Sequence, residues 1–450
     1  MRHALPVLIG LLLLAAASLA AEPGLRSFTL DNGLMVVAIE DHRAPVVTQM
    51  VWYRVGSADD PVGQSGTAHF LEHLMFKATD KLAEGELDRT VEENGGSFDA
   101  FTSVDQTAFT ERIAADRLDL VMSMEADRMV NLAPTEASVL TERDVVIEER
   151  RQVVDGDPSG VFSEQLKAAL YPNSPDGRPT IGSEQEIAGL TRETAMDFYR
   201  AHYAPNNAIL VVAGDVHADE VRQMAAKYFG SIPASPQGPR PERPQGPPHQ
   251  VTRLVEVQDA RVGLPQLTRL YLAPQRQTGD QKKAAALVVL ADLLGGDRVT
   301  SILARDLVGP AGIAIDAGAS YSDTGLNKQA FALYLVPQPG VDRTEAEAAL
   351  DGLIADFLEQ GPDPEEIERI KGRVRGGNIF MLDDISSRAY RVGEALTSGL
   401  TLEDVEAWPT ILASVTVADV KAAAETLFGE QFSVSGWVMP PAIEPQELPQ

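Results

Sequence analysis

Apolar and polar positions change their period several times along the chain, and each change marks an element. The first run, ALPVLIGLLLLAAASLA, is apolar throughout and follows Arg2 and His3. A basic start, a short apolar stretch and the small residues at Ser18-Leu19-Ala20 have the layout of a secretory signal peptide, residues 1–20, cleaved after Ala20. The run is short for a spanning helix, and no second long one follows. Strand-like alternation then flanks Leu30-Asp31-Asn32-Gly33-Leu34, which reads as a hairpin turn. The period lengthens to that of an amphipathic helix in GTAHFLEHLMFK, whose start Ser65 or Thr67 can cap. NGGSFDAFTSVDQTAFTERI returns to alternation behind glycine turns and suits an edge strand. PTEASVLTERDVVIEERRQVVDGDP is helical again, with Thr135 as N-cap and Gly156 and Pro158 as the stop.

The pattern breaks at Ser231. Residues 231–250 are dense in proline and read as an extended, semi-rigid linker. Beyond it, RLVEVQD and LTRLYLAP are strand-like, and a helix starts near Asp280. The segment VADVKAAAETLFGEQFSVSGWVMP echoes RETAMDFYRAHYAPNNAILVVAGDV from the first half: each is a helix, then a strand with glycine near its end. The echo suggests duplicated domains of about 200 residues, spanning 25–230 and 251–439, with a tail over 440–450.

Composition narrows the function. The 450 residues carry 66 acidic against 38 basic side chains, a net charge of −28. That balance argues against nucleic acid or an anionic membrane as partner. There is no cysteine, so disulfides, thiolate ligands and a lipid-modified cysteine are excluded. With the signal peptide, the expectation is a soluble periplasmic protein.

The sharpest chemical signal is His69-Phe70-Leu71-Glu72-His73. On a helix, His69 and His73 share one face and can bind one zinc ion. Glu72 lies nearly on that face, within reach of the site's water as a base. The glutamate directly before the second histidine gives the inverted zinc-protease order. Catalytic zinc usually takes a third protein ligand, and without cysteine a carboxylate is expected. Glu142 and Glu149 lie two helical turns apart on one face of the later helix, with Glu148 about 100° away from Glu149. Spacing does not decide between Glu148 and Glu149.

HFLEHLMFKAT, NGGSFDAFTSVDQTAF, ERDVVIEERRQ, YPNSPDGRPTIG and FYRAHYAPNNAILVVAGDV together resemble the pitrilysin and mitochondrial processing peptidase family of zinc peptidases. The resemblance is strongest over about residues 25 to 230 and weaker beyond. It implies an α+β fold of two related domains, each a mostly antiparallel sheet packed with helices, only the first bearing metal. It implies His69, His73 and Glu149 as ligands of one zinc ion, Glu72 as general base, and Glu142 as a neighbour orienting a ligand or the water. It further implies that Ala100, Phe101 and Thr102 lie on an edge strand that pairs with an extended peptide, beside Asp99 where the family usually has asparagine. The implied activity is endopeptidase cleavage of short or unfolded peptides. The family also contains scaffold subunits that lost the site, and the intact zinc set argues against that alternative.

The second half departs from the pattern. Self-sufficient members carry an arginine and, a few residues on, a tyrosine that hold substrate from the far domain. Arg305 matches the first, but Ile315 occupies the tyrosine position, with Tyr321 in a different context. A butyl group cannot donate a hydrogen bond. The family's chamber is built from four such domains, so the resemblance implies a dimer; the missing tyrosine at Ile315 points to a related subunit that lacks the zinc motif and carries the arginine–tyrosine pair, the alternative being a homodimer in which Arg305 acts with another group such as Tyr321.

Overall fold

The computed structural model describes residues 24–441, except 238–239, 241–242, 244–245, 247–249, 310–311 and 430–431. The signal peptide, most of the tail and part of the proline-rich segment therefore lie outside the described residues.

The first half contains β1 (Leu25–Thr29), β2 (Met35–Glu40), β3 (Val46–Tyr53), α1 (Thr67–Leu74), α2 (Glu86–Glu93), β4 (Ser97–Thr102) and β5 (Thr107–Ala114). It continues with α3 (Leu118–Asn131), α4 (Glu136–Arg150), α5 (Pro158–Leu170), α6 (Glu184–Gly189), α7 (Arg192–His202), β6 (Ala208–Gly214) and α8 (Ala218–Phe229). The second half contains β7 (Arg253–Gln258), β8 (Gln266–Ala273), α9 (Lys282–Gly295), α10 (Ile302–Leu307), β9 (Ala314–Tyr321) and β10 (Gln329–Pro337). It ends with α11 (Arg343–Gln360), α12 (Pro364–Asp383), α13 (Ile385–Thr397), α14 (Leu402–Ala413), α15 (Val417–Gly429) and β11 (Val434–Met439).

Two sheets result, ordered β1-β2-β6-β3-β5-β4 and β7-β11-β8-β10-β9. Within each, one pair is parallel, β2 with β6 and β7 with β11, and the rest are antiparallel. From β2 and β7 onward the two orders match strand for strand. The echo between the ends of the halves is thus the repeated helix–strand unit that places β6 and β11 inside their sheets.

Strands buried on both faces read as continuous apolar runs, and AILVVAG in β6 is buried at every position. One face of the first sheet packs Val36, Val51 and Phe109 against Phe70, Leu71 and Leu74 of α1 and against α3, α7 and α8. Its other face, with Val37, Met50, Trp52 and Ile209, is covered by Ile385, Ala389, Val392 and Leu396 of α13. The second half receives the reciprocal contact, in which Phe162, Leu166 and Leu170 of α5 cover Leu270, Val434 and Val438. Each half thus lends a helix to the other's sheet. Both crossings are made at glycine: a Cβ at Gly393 would run into the Trp52 ring, and one at Gly436 would press on Phe162 and Leu166.

The Leu30–Leu34 turn is the expected hairpin, with Gly33 at φ 89°. Two arginines of the proline-rich segment are pinned to the first half. Arg243 pairs with Asp59 and Asp105, and Arg240 donates to the Asp105 carbonyl.

Candidate metal centre

Helix α1 carries the histidine motif because Ala68, Phe70, Leu71 and Leu74 bury one flank completely, leaving His69 and His73 on the other. The expected cap is not what starts it. Neither Ser65 nor Thr67 caps the helix: the N-cap residue is Gly66, left-handed at φ 88°, and the Thr67 hydroxyl donates to the Gln64 carbonyl. The free amides are satisfied from a preceding loop, where the Asp60 carboxylate accepts from Gly66 N at 2.7 Å and Ala68 N at 2.8 Å. A hydroxyl at residue 65 or 67 loses to a full carboxylate because the latter serves both amides at once. Burial pushes Asp60 up to about 7 despite these donors.

Thr135 caps α4 by accepting from Ser138 N, and the helix runs into a π turn, Arg151–Asp155, before Gly156. Arg150 anchors that end through Glu164 at 2.9 Å, Asp155 at 3.2 Å and the Gly182 carbonyl at 2.5 Å. The register aims Glu149 at the histidines. Its Oε2 stands 3.7 Å from His69 Nε2 and 3.3 Å from His73 Nε2. Glu148 is exposed and pairs with Arg151 at 3.8 Å instead.

The trio fits a metal ion. Bonds of about 2.1 Å at tetrahedral angles separate donor atoms by about 3.4 Å, close to the spacings here. Glu149 Oε2 is also buried without a well-formed hydrogen bond, an unusual state for a carboxylate oxygen unless a cation belongs there. Around the trio, Glu142 Oε1 lies 2.8 Å from His73 Nδ1, and its other oxygen pairs with Lys77 at 2.6 Å. Glu142 thereby fixes the His73 ring with Nε2 turned toward Glu149.

Burial pushes His69 down to about 4, helped by its neighbour His73. Burial would lower His73 too, but the Glu142 and Glu149 carboxylates outweigh it and hold that ring up at about 9. Glu72 is buried, which raises its carboxyl above the ordinary value, while a 2.6 Å hydrogen bond from the Thr102 hydroxyl opposes the rise.

Thr102 belongs to β4, the outermost strand of its sheet, so the far edge of β4 is unpaired by strands among the described residues. Asp99 and Phe101 line a cavity of about 600 Å³ shared with Arg276, Tyr390 and Trp408 of the second half, while Ala100 packs toward the first core. Arg305 lies elsewhere: on α10 it is held by Asp306 at 2.9 Å and Glu366 at 2.8 Å. Ile315 is exposed on β9, and Tyr321 donates to the Pro274 carbonyl. Sequence reasoning missed Asp60, Lys77 and Arg150, because each acts across a loop or between helices.

Comparison with known proteins identifies the family. The insulinase profile of peptidase family M16 matches residues 35–184, and the profile described as the peptidase M16 inactive domain matches residues 189–374. A Mycobacterium tuberculosis protein named an uncharacterized zinc protease is 30% identical over 442 residues, covering 96% of each chain. The crystal structure of a protease from Helicobacter pylori superposes with a TM-score of 0.87 at 28% identity, over 93% of this chain and 100% of that one. The periplasmic protease PqqL from Escherichia coli shares the fold, with a TM-score of 0.79 at 20% identity, over 95% of this chain and 50% of its own. With its matching halves and its relatives named as zinc proteases, the chain belongs to peptidase family M16.

Proposed function

We propose that this chain is a zinc-dependent endopeptidase acting on short or unfolded peptides. The observation that carries the reading is the buried Glu149 Oε2 standing 3.7 Å and 3.3 Å from the Nε2 atoms of His69 and His73, with the Glu72 carboxylate on the histidines' own helix. His69, His73 and Glu149 would hold the ion. When bound, zinc supplies a Lewis acid that polarises a carbonyl and acidifies water. Glu72 takes a proton from the attacking water and returns it to the leaving amine, and its raised pKa suits both roles. Thr102 keeps the Glu72 carboxylate aimed at the site. The free edge of β4 pairs with an extended backbone and so orients the scissile bond without demanding a sequence. A folded substrate offers no such strand.

The same reading makes the chain a periplasmic subunit of a dimer. The chain covers 50% of a structural neighbour of the same fold, so two such chains would match that neighbour's length. Ile315 and the engaged Tyr321 favour a related, zinc-free partner that carries the arginine–tyrosine pair, since Arg305 of this chain is held by Asp306 and Glu366.

Glu72→Gln tests the reading. It should retain the wild-type metal content and lose peptide cleavage by on the order of 10²-fold or more. Near wild-type turnover by a zinc-loaded variant would refute the role of Glu72.

A further inference from the structure

The described residues contain a second group with the donor chemistry of a metal centre. Glu40 ends β2, His42 follows it in the β2–β3 loop, and His217 caps the start of α8. One ligand atom from each lies within 4.8 Å of the other two, the limit that the His69–His73–Glu149 trio also meets. We propose that Glu40, His42 and His217 form a second, surface binding site for a divalent transition metal ion of the zinc class.

The zinc cluster serves as an internal template. There, Glu142 sits 2.8 Å from His73 Nδ1 and leaves Nε2 facing a carboxylate. Here, Asp215 sits 2.7 Å from His42 Nδ1 and leaves Nε2 facing Glu40 Oε2 at 4.0 Å. A carboxylate on one ring nitrogen fixes the tautomer that offers its lone pair on the other. Glu40 is prepared in the same sense: its Oε1 accepts from Ala218 N at 2.7 Å, so the second oxygen is the one turned to the histidines. The His42 and His217 rings stand 4.9 Å apart at 48°. Four of the five described histidines thus fall into two clusters of the same composition.

Two imidazoles and one carboxylate select zinc, nickel or copper over magnesium or calcium. The site lies where β2 and β6 end and β3 begins. Eight residues of β3 lead from there toward the end of the sheet at which Thr102 meets Glu72. At about 3.3 Å per residue the two clusters are more than ~20 Å apart. His42 and His217 are exposed, so water completes the coordination and the ion exchanges more freely than at the half-buried trio. An ion here ties the β2–β3 loop to the start of α8, two segments far apart in sequence.

The test is zinc binding by the metal-stripped full chain in equilibrium dialysis. Wild type should take two equivalents, the second weaker. His69→Ala/His73→Ala should keep one, His42→Ala/His217→Ala should keep one, and the fourfold variant should take none. Asp215→Ala, which leaves all three donors in place, should weaken the second site by about 10 to 100-fold. Circular dichroism checks that each variant is folded. In the His69→Ala/His73→Ala background, zinc should also raise the unfolding temperature, and His42→Ala/His217→Ala should abolish that rise. A wild-type chain that takes one equivalent, or a folded His42→Ala/His217→Ala chain that still takes two, would overturn the proposal.

Discussion

Replacing Asp60 by asparagine isolates the group that starts the helix carrying His69 and His73. The carboxylate accepts from two amides, Gly66 N and Ala68 N, and the second belongs to the residue before His69. Asparagine can accept one of them and turns an amino group on the other, which should cost about 1–3 kcal/mol. The change also removes a buried charge. Burial holds Asp60 at about 7 against an ordinary value of 3.8. At 1.36 kcal/mol per pH unit, ionising it in the folded chain costs about 4 kcal/mol more than in the unfolded chain. An acid whose folded value is raised stabilises the fold at low pH and loses that contribution as pH rises through the folded value. The wild type should therefore lose its advantage over Asp60→Asn by about 2–3 kcal/mol between pH 5 and pH 8. Urea unfolding of both chains in chelator reads this directly, since the metal-site histidines are common to both and cancel in the difference. Zinc affinity of the variant should fall by roughly tenfold, because α1 is no longer held from its start. A stability gap that does not move with pH, together with unchanged zinc affinity, would show that Asp60 neither titrates near neutrality nor positions the helix.

Three further outcomes are expected. Glu149→Gln should lose zinc on dialysis while Glu148→Gln keeps it, because only Glu149 faces the histidines; equal retention would put the third ligand elsewhere. Gly393→Ala should destabilise the chain by about 1–3 kcal/mol in thermal or urea unfolding, since the new methyl meets the buried Trp52 ring; a change below about 0.5 kcal/mol would mean that α13 can slide. Glu111, fully buried beside Glu125, has its carboxyl pushed well up by burial and by that neighbour. Glu111→Gln should therefore gain on the wild type as pH rises above the ordinary carboxylate range, by at most about 1.4 kcal/mol per pH unit, and a gap that never moves with pH would contradict the upward shift.

What could be read from the sequence was local. Two histidines four apart, a glutamate between them and two glutamates seven apart need only helical periodicity, and the alternation around Phe98 and Phe101 needs only that of a strand. The choice between Glu148 and Glu149 is a rotation of α4 about its axis. That rotation is set by Val139, Glu142, Val146 and Arg150 on its buried face, which spacing alone does not orient. Asp60 escaped because a cap drawn from a loop leaves no helix-start signature. The exchange of α5 and α13 escaped for a related reason. Both helices carry ordinary apolar faces, and nothing in an amphipathic pattern says which sheet it will cover.

The repeat explains why one half carries the two-histidine, one-glutamate trio and the corresponding helix of the other does not. Between the third strand and the outer strand, the first half places α1, and the second half places α9 at the corresponding point. In α1 the flank toward β4 presents Glu72, whose carboxylate bonds to Thr102 on the strand. In α9 the sequence KKAAALVVLADLLG offers no histidine, and its buried positions are alanine, valine and leucine. Gly295 lies against the backbone of Gly318 and Ala319 on β9, so tightly that no Cβ would fit. The end of α9 is thus closed against the β9 backbone. Restoring histidines to α9 alone would not restore a site, because its buried face is alanine, valine and leucine and its end is packed against the β9 backbone.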